Sequence, residues 1–186
     1  MQWHKTDHIQ VRQFVCGYCG DKVASKEGYM TSDAPDGVQA YLYVCPGCTK
    51  PSLIHRSYQS PGVAPGNEVG HLPPDIAALY REARRSAGAG ACTAAVLACR
   101  KLLMNIAVAQ GAKVGESFLF YVEHLANAGY VPPNGKTWVD HIRNKGNEAT
   151  HEIKLMTPED AVELISFSEM LLKFIFEFPA KVPKAP

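Results

Sequence analysis

The chain has 186 residues, 46% of them hydrophobic, enough for one ordinary core with a small satellite module beside it. Its 19 Lys and Arg nearly cancel its 18 Asp and Glu, leaving a formal charge of +1, and this excludes the broad basic face of a general nucleic-acid coat. The longest apolar stretch, Leu164 to Phe178, is interrupted by Glu169, Lys173 and Glu177 and is too short for an uncharged helix crossing a bilayer, so a soluble, cytoplasmic protein is expected.

In the first third, Ile9 to Phe14 alternates apolar and polar residues and runs into Cys16-Gly-Tyr-Cys19; Val38 to Val44 runs in the same way into Cys45-Pro-Gly-Cys48. Each C-x-x-C puts two thiols on one tight turn, and the 25 residues between the pairs, 20–44, need only a lengthened hairpin loop, placed at Ser25 to Gly37. A disulfide pair needs an exported chain, and Met1-Gln2-Trp3-His4-Lys5 lacks an apolar signal core; a thioredoxin-like motif needs a βαβ setting that is not visible. The spacing therefore predicts a structural Zn2+ held by Cys16, Cys19, Cys45 and Cys48, with no open position for a catalytic water. With Ser52 to Tyr58 as a third strand, residues 1–59 read as a zinc ribbon. His8 and His55 read as surface residues, and Cys92 and Cys99, seven apart on a helix, as small core residues.

The Pro- and Gly-rich stretch 60–73 reads as a linker. From residue 74 the period changes from two to near 3.6. Ile76, Leu79, Tyr80 and Ala83 make one apolar stripe, stopped by Gly88 and Gly90. Val96, Cys99, Leu103 and Ile106 make a second, closed by Gly111, and Phe118, Tyr121, Val122 and Leu125 a third, closed by Gly129. Small residues from Ala83 to Ala95 suit a close helix–helix approach. A fourth helix is placed at about Trp138 to His151. A fifth opens at Thr157-Pro158-Glu159-Asp160, where Thr caps, Pro takes the first helical position and the acids complement the helix N-terminus. This last helix is apolar on nearly all sides, so it is either the centre of the core or a face for self-association. The tail 179–186 has three prolines and is expected to be disordered.

The polar string from Asp140 to His151 places Arg143, Asn147 and His151 at successive i,i+4 steps on a continuous helix. A guanidinium there suits phosphate, and an imidazole can exchange a proton near neutral pH. The same residues can equally cap and pair within the fold.

Leu72-Pro73-Pro74-Asp75-Ile76 with Tyr80-Arg81-Glu82-Ala83, then Ala94 to Leu103 containing Arg100, then Ile142-Arg143, Gly146-Asn147 and His151, resemble the bacterial family known as domain of unknown function 4145. The resemblance covers residues 72 to 178. It implies a helical domain, often preceded by a zinc ribbon or attached to restriction-type proteins, and similar to the HEPN superfamily, many of whose members are metal-independent ribonucleases of toxin and phage-defence systems. It further implies a two-fold dimer in which His151 would assist attack by an RNA 2′-hydroxyl and Arg143 would stabilise charge on the phosphate. Seven residues, 144–150, separate the two, more than the nuclease motif carries. On a regular helix this sets them about 80° apart around the axis and about 12 Å along it.

The expected architecture is thus mainly α: a small β zinc ribbon at 1–59, a linker at 60–73, and a HEPN-like bundle of about five helices at 74–178. The leading expectation for function is an accessory module of a prokaryotic defence or nucleic-acid-processing system, binding nucleic acid or a partner protein as a homodimer. Arg143, Asn144, Lys145, Asn147 and Arg100 are its candidate contacts. The alternatives are an endoribonuclease using Arg143 and His151, and a non-catalytic dimerising adaptor.

Overall fold

The computed structural model describes residues 3, 5–31, 37–131, 139, 140, 142 and 155–182. The chain divides into two compact units, Met1–Ala64 and Pro65–Pro186.

The first unit is a five-stranded antiparallel meander: β1 (Asp7–Val15), β2 (Lys22–Met30), β3 (Tyr41–Val44), β4 (Pro51–His55) and β5 (Tyr58–Ser60), paired in that order. The register sets Phe14 opposite Val23, Gly28 opposite Tyr43, Leu42 opposite Leu53 and Ile54 opposite Gln59, with an irregularity between His8 and Arg12. Two sequence expectations are corrected here. Residues 25–30 of the expected loop Ser25 to Gly37 belong to strand β2, and the single expected strand 52–58 is two, β4 and β5, turned at Arg56, whose φ is 55°. Strand β2 escapes a hydrophobicity pattern because its inward residues are Ser25 and Gly28. They are small for a reason: a Cβ at Gly28 would lie 1.9 Å from the Leu42 carbonyl oxygen, so only glycine lets β3 approach. Ser25 Oγ donates to the Val44 carbonyl at 2.8 Å. The core of this unit is Ile9, Phe14, Tyr43 and Ile54 with the thiols of Cys16 and Cys45. Phe14 and Tyr43 pack at 5.8 Å between ring centroids, and the Tyr43 hydroxyl donates to the Gln10 carbonyl.

The second unit has four helices of ten residues or more among the described residues: α1 (Pro74–Gly88), α2 (Cys92–Ala109), α3 (Phe118–Asn127) and α4 (Pro158–Leu172). The last continues through a π-helical turn, Lys173–Glu177, into a short α5 (Phe178–Lys181). Helix α2 is long and apolar enough to cross a membrane by composition, but it is the middle of this unit, packed against α1, α3 and α4 with Val96, Cys99, Leu102, Leu103 and Ile106 wholly buried. Ala83 and Ala95 are also fully buried, as the small-residue stretch requires. The entry to α4 carries the expected cap. The Asp160 amide donates to Thr157 Oγ1 at 3.2 Å, and the Thr157 amide donates to the Asp160 carboxylate at 2.9 Å.

The fold class expected from the sequence is overturned. About 45% of the described residues are helical and 19% are in strands, so the protein is a mixed α and β chain and not a mainly α HEPN-like bundle of about five helices. The difference lies in the sheet, which gains β2 and β5. Of the expected fourth helix, Val139, Asp140 and Ile142 are helical, and Val139 and Ile142 are buried; its other residues lie outside the described ones.

Residues 65–73, read from the sequence as linker, are held by side chains of the helical unit. Arg84 donates Nε to the Pro65 carbonyl at 2.8 Å and Nη2 to the Gly66 carbonyl at 2.9 Å, and pairs with Glu68. The buried carboxylate of Glu169 accepts from the Asn67 amide at 2.8 Å and its Nδ2 at 3.0 Å, and from the Lys173 ammonium. Tyr80 donates to the Asn67 carbonyl at 3.0 Å.

Candidate metal centre

Strand β1 delivers Cys16 to a turn in which the Cys16 amide donates to the Asp21 carbonyl at 2.9 Å and the Gly20 amide to the Cys16 carbonyl at 2.8 Å. Strand β3 delivers Cys45 to a matching turn, with the Cys45 amide on the Lys50 carbonyl at 3.0 Å and the Thr49 amide on the Cys45 carbonyl at 2.9 Å. Both turns close through left-handed residues, Gly20 at φ 78° and Thr49 at φ 58°. Gly17 is forced by contact: a Cβ there would lie 2.2 Å from the Pro61 carbonyl oxygen.

These turns bring the four sulfurs within 4.8 Å of one another, with Cys16 and Cys48 Sγ 3.7 Å apart and Cys19 and Cys45 Sγ 3.8 Å apart. A tetrahedron with metal–sulfur bonds of about 2.3 Å has sulfur–sulfur edges of about 3.8 Å. A disulfide needs about 2.05 Å, and all six cysteines are free thiols. The donor set and its spacing therefore fit a metal ion. Burial raises the pKa of Cys19 and Cys48, and thiol neighbours add to the effect. Burial acts in the same direction on Cys16, but bonds from the Cys19 and Tyr18 amides and the Cys48 and Cys19 thiols outweigh it and bring it below the usual value. Four crowded sulfurs share a site that only a cation could let them all occupy as thiolates. Cys16 and Cys45 are buried, Cys48 is half-buried and Cys19 is exposed.

Beside the second turn, a cleft of about 530 Å³ is lined by Trp3, Ser25, Lys26, Glu27, Cys45 and Thr49, and the indole of Trp3 donates to the Thr49 carbonyl at 2.6 Å. The first turn exposes Tyr18, and the Lys50 ammonium lies 4.9 Å from the centre of its ring. His8 and His55 are not among the clustered ligands. Cys92 and Cys99 are buried in the helical core, where burial pushes Cys99 up to about 12.

Arg143, Asn144, Lys145, Asn147 and His151 all lie outside the described residues. Of the candidate contacts only Arg100 has a described position. It is half-buried on α2, with its guanidinium carbon 4.3 Å from the centre of the Phe118 ring. Its Nη1 is buried and has no hydrogen-bond partner among the described residues, and burial lowers its pKa. Among the neighbouring cations, Arg84 is consumed by residues 65–68, whereas Arg85 and Lys101 are exposed. Sequence reasoning missed the role of Glu169. Its signal was a lone acid inside an apolar helix, which the structure turns into a buried acceptor.

An antiparallel sheet that gathers four cysteines, ahead of an α-helical unit, defines a two-part protein whose first part carries a cluster able to hold a metal ion. The chain belongs to the family described as Domain of unknown function (DUF4145), whose model matches residues 81–185, more than half of its length and all within the helical unit. No curated protein and no solved structure matches it.

Proposed function

We propose that the ion is zinc, that it folds the N-terminal unit, and that the protein is a non-catalytic accessory module that binds nucleic acid, working as a homodimer in a prokaryotic defence or nucleic-acid-processing system. The observation that carries the metal part is the arrangement of Cys16, Cys19, Cys45 and Cys48 at sulfur–sulfur separations of 3.7 and 3.8 Å. Four thiolates fill a tetrahedral shell, so the ion's work is folding, and free thiols kept for metal suit the reducing cytoplasm. The nucleic-acid part is supported by two cations set against aromatic rings, Lys50 over Tyr18 and Arg100 over Phe118. Tyr18 is exposed enough to stack on a base while Lys50 meets a phosphate. Self-association is supported by exposed apolar residues along α4 and its continuation. Val162, Phe174 and Phe178 are exposed there, and a groove of about 370 Å³ runs beside Met170 and Phe174.

Metal content and binding test this reading together. The purified protein should carry one zinc per chain, and cobalt in its place should give a tetrahedral thiolate spectrum. A chelator should melt the N-terminal sheet while the helical signal persists. Binding of a labelled oligonucleotide should weaken steeply with salt and with Lys50→Ala. Metal-free protein with an intact sheet, or binding indifferent to salt, refutes the corresponding half.

A further inference from the structure

We propose that Arg100 is the centre of an oxyanion-binding site in the helical unit, and that the group it takes is a phosphate. The residue breaks an apolar helix: Val96, Cys99 and Leu103 around it are wholly buried. Its guanidinium is positioned by Phe118, which is 5% exposed and opens α3, so the ring under the cation is itself fixed by packing. A ring face satisfies the flat side of a guanidinium. It does nothing for the in-plane N–H donors, and these are what carboxylate and phosphate oxygens match. Nη1 is removed from water with no acceptor among the described residues, and no described carboxylate pairs with this arginine.

The contrast with the other cations of the unit carries the argument. Where this fold uses a buried guanidinium structurally, at Arg84, every nitrogen is answered by Pro65, Gly66 or Glu68. Lys173 pairs with Glu169 and Lys181 with Glu177. Among these four, Arg100 alone has a buried nitrogen with no acceptor among the described residues. The residue as a whole is half-buried rather than sealed. An uncompensated charge at a partly dry site is costly, and an incoming anion relieves that cost. The choice of phosphate over carboxylate rests on the nucleic-acid reading above; the existence of the site does not.

The test uses the zinc-loaded full chain. Thermal unfolding of the helical signal is compared in sodium phosphate and in sodium chloride at equal pH and ionic strength, for the native protein, Arg100→Met and Arg100→Lys. Phosphate at ten times its dissociation constant should raise the native midpoint by about 4 °C. Arg100→Met, which keeps the apolar stem, should lose the response, and Arg100→Lys, which keeps charge without the fork, should show less than half of it. Direct titration of the native protein with phosphate by calorimetry supplies a measurement that needs no variant. No phosphate-specific shift and no heat in the native protein, or equal shifts in all three, overturns the site. A 5′-phosphorylated RNA oligonucleotide forms the second arm, and its affinity should fall about tenfold in Arg100→Met. If inorganic phosphate binds through Arg100 and the oligonucleotide does not bind at all, the site stands and the nucleic-acid reading falls.

Discussion

Replacing Glu169 by Gln should destabilise the helical unit by about 2–3 kcal/mol, because one oxygen is left to do the work of two. In the native protein one carboxylate oxygen accepts from the Asn67 amide at 2.8 Å, and the other from Asn67 Nδ2 at 3.0 Å and from Lys173. The residue is 9% exposed, so water cannot replace a lost partner. Gln keeps the shape but turns an NH2 group toward one of these donors, and it removes the charge from all three bonds. Bonds to a charged group contribute about 1.5–3 kcal/mol, and a buried donor left facing another donor costs about 1–3 kcal/mol. Urea denaturation of the zinc-loaded protein, followed by helical circular dichroism, measures the loss. Asn67→Ala and the double variant complete a cycle whose coupling should reach about 1 kcal/mol or more. A loss in Glu169→Gln below about 0.5 kcal/mol, the level of an ordinary surface change, would refute the claim that this carboxylate holds residues 65–73.

The same residue sets a sign for pH. Burial alone would raise the pKa of Glu169, but bonds from Lys173 and both nitrogens of Asn67 outweigh it, and the net shift is downward. A carboxyl whose folded pKa lies below its unfolded value contributes stability in full above the unfolded value and loses it as pH falls through the folded one. The stability gap between native protein and Glu169→Gln should therefore stay constant at neutral pH and close below the usual carboxylate range. A gap that widens on acidification contradicts the assigned direction.

Three other outcomes follow from the geometry. Gly28→Ala should cost about 1–3 kcal/mol in the N-terminal unit by forcing β2 from β3, whereas Gly70→Ala, whose added Cβ would meet Glu177 only at 3.9 Å, should stay within about 0.5 kcal/mol by the same urea assay. Phe174→Glu should shift sedimentation from dimer to monomer; a native protein that sediments as a monomer at every concentration removes the self-association proposal. Cys19→Ser should abolish metal binding and unfold the sheet although Cys19 is exposed, and a Cys19→Ser protein that keeps its near-ultraviolet spectrum without metal would show that the sheet stands unaided.

The elements that the sequence reveals are those whose inward residues are large. Helices α1, α2 and α3 show their stripes because Tyr80, Leu103 and Tyr121 face a core, and α4 shows its start because Thr157, Pro158 and Asp160 each have a positional role in a cap. Strand β2 is hidden for the opposite reason. Its buried positions are Ser25 and Gly28, chosen to let a neighbouring backbone approach, and such residues read as loop in any hydrophobicity pattern. The break between β4 and β5 is similarly silent, since Arg56 carries none of the usual marks of a left-handed turn. Residues 65–73 look like a tether because their partners lie about a hundred positions away at Glu169, and no local pattern encodes a bond of that span.

The metal cluster was legible because its constraint is local. Two thiols on one turn fix half a coordination shell, so the spacing within each pair carries the chemistry wherever the second pair falls along the chain. The polar groups of the helical unit are not local in this sense. Arg84 and Arg100 look alike in sequence, each a cation near an apolar stripe, yet one is saturated by the carbonyls of residues 65 and 66 and by Glu68 while the other has a ring beneath it and an Nη1 with no acceptor among the described residues. What separates these two arginines is whether distant backbone supplies their acceptors, and that can be read only once the chain is folded.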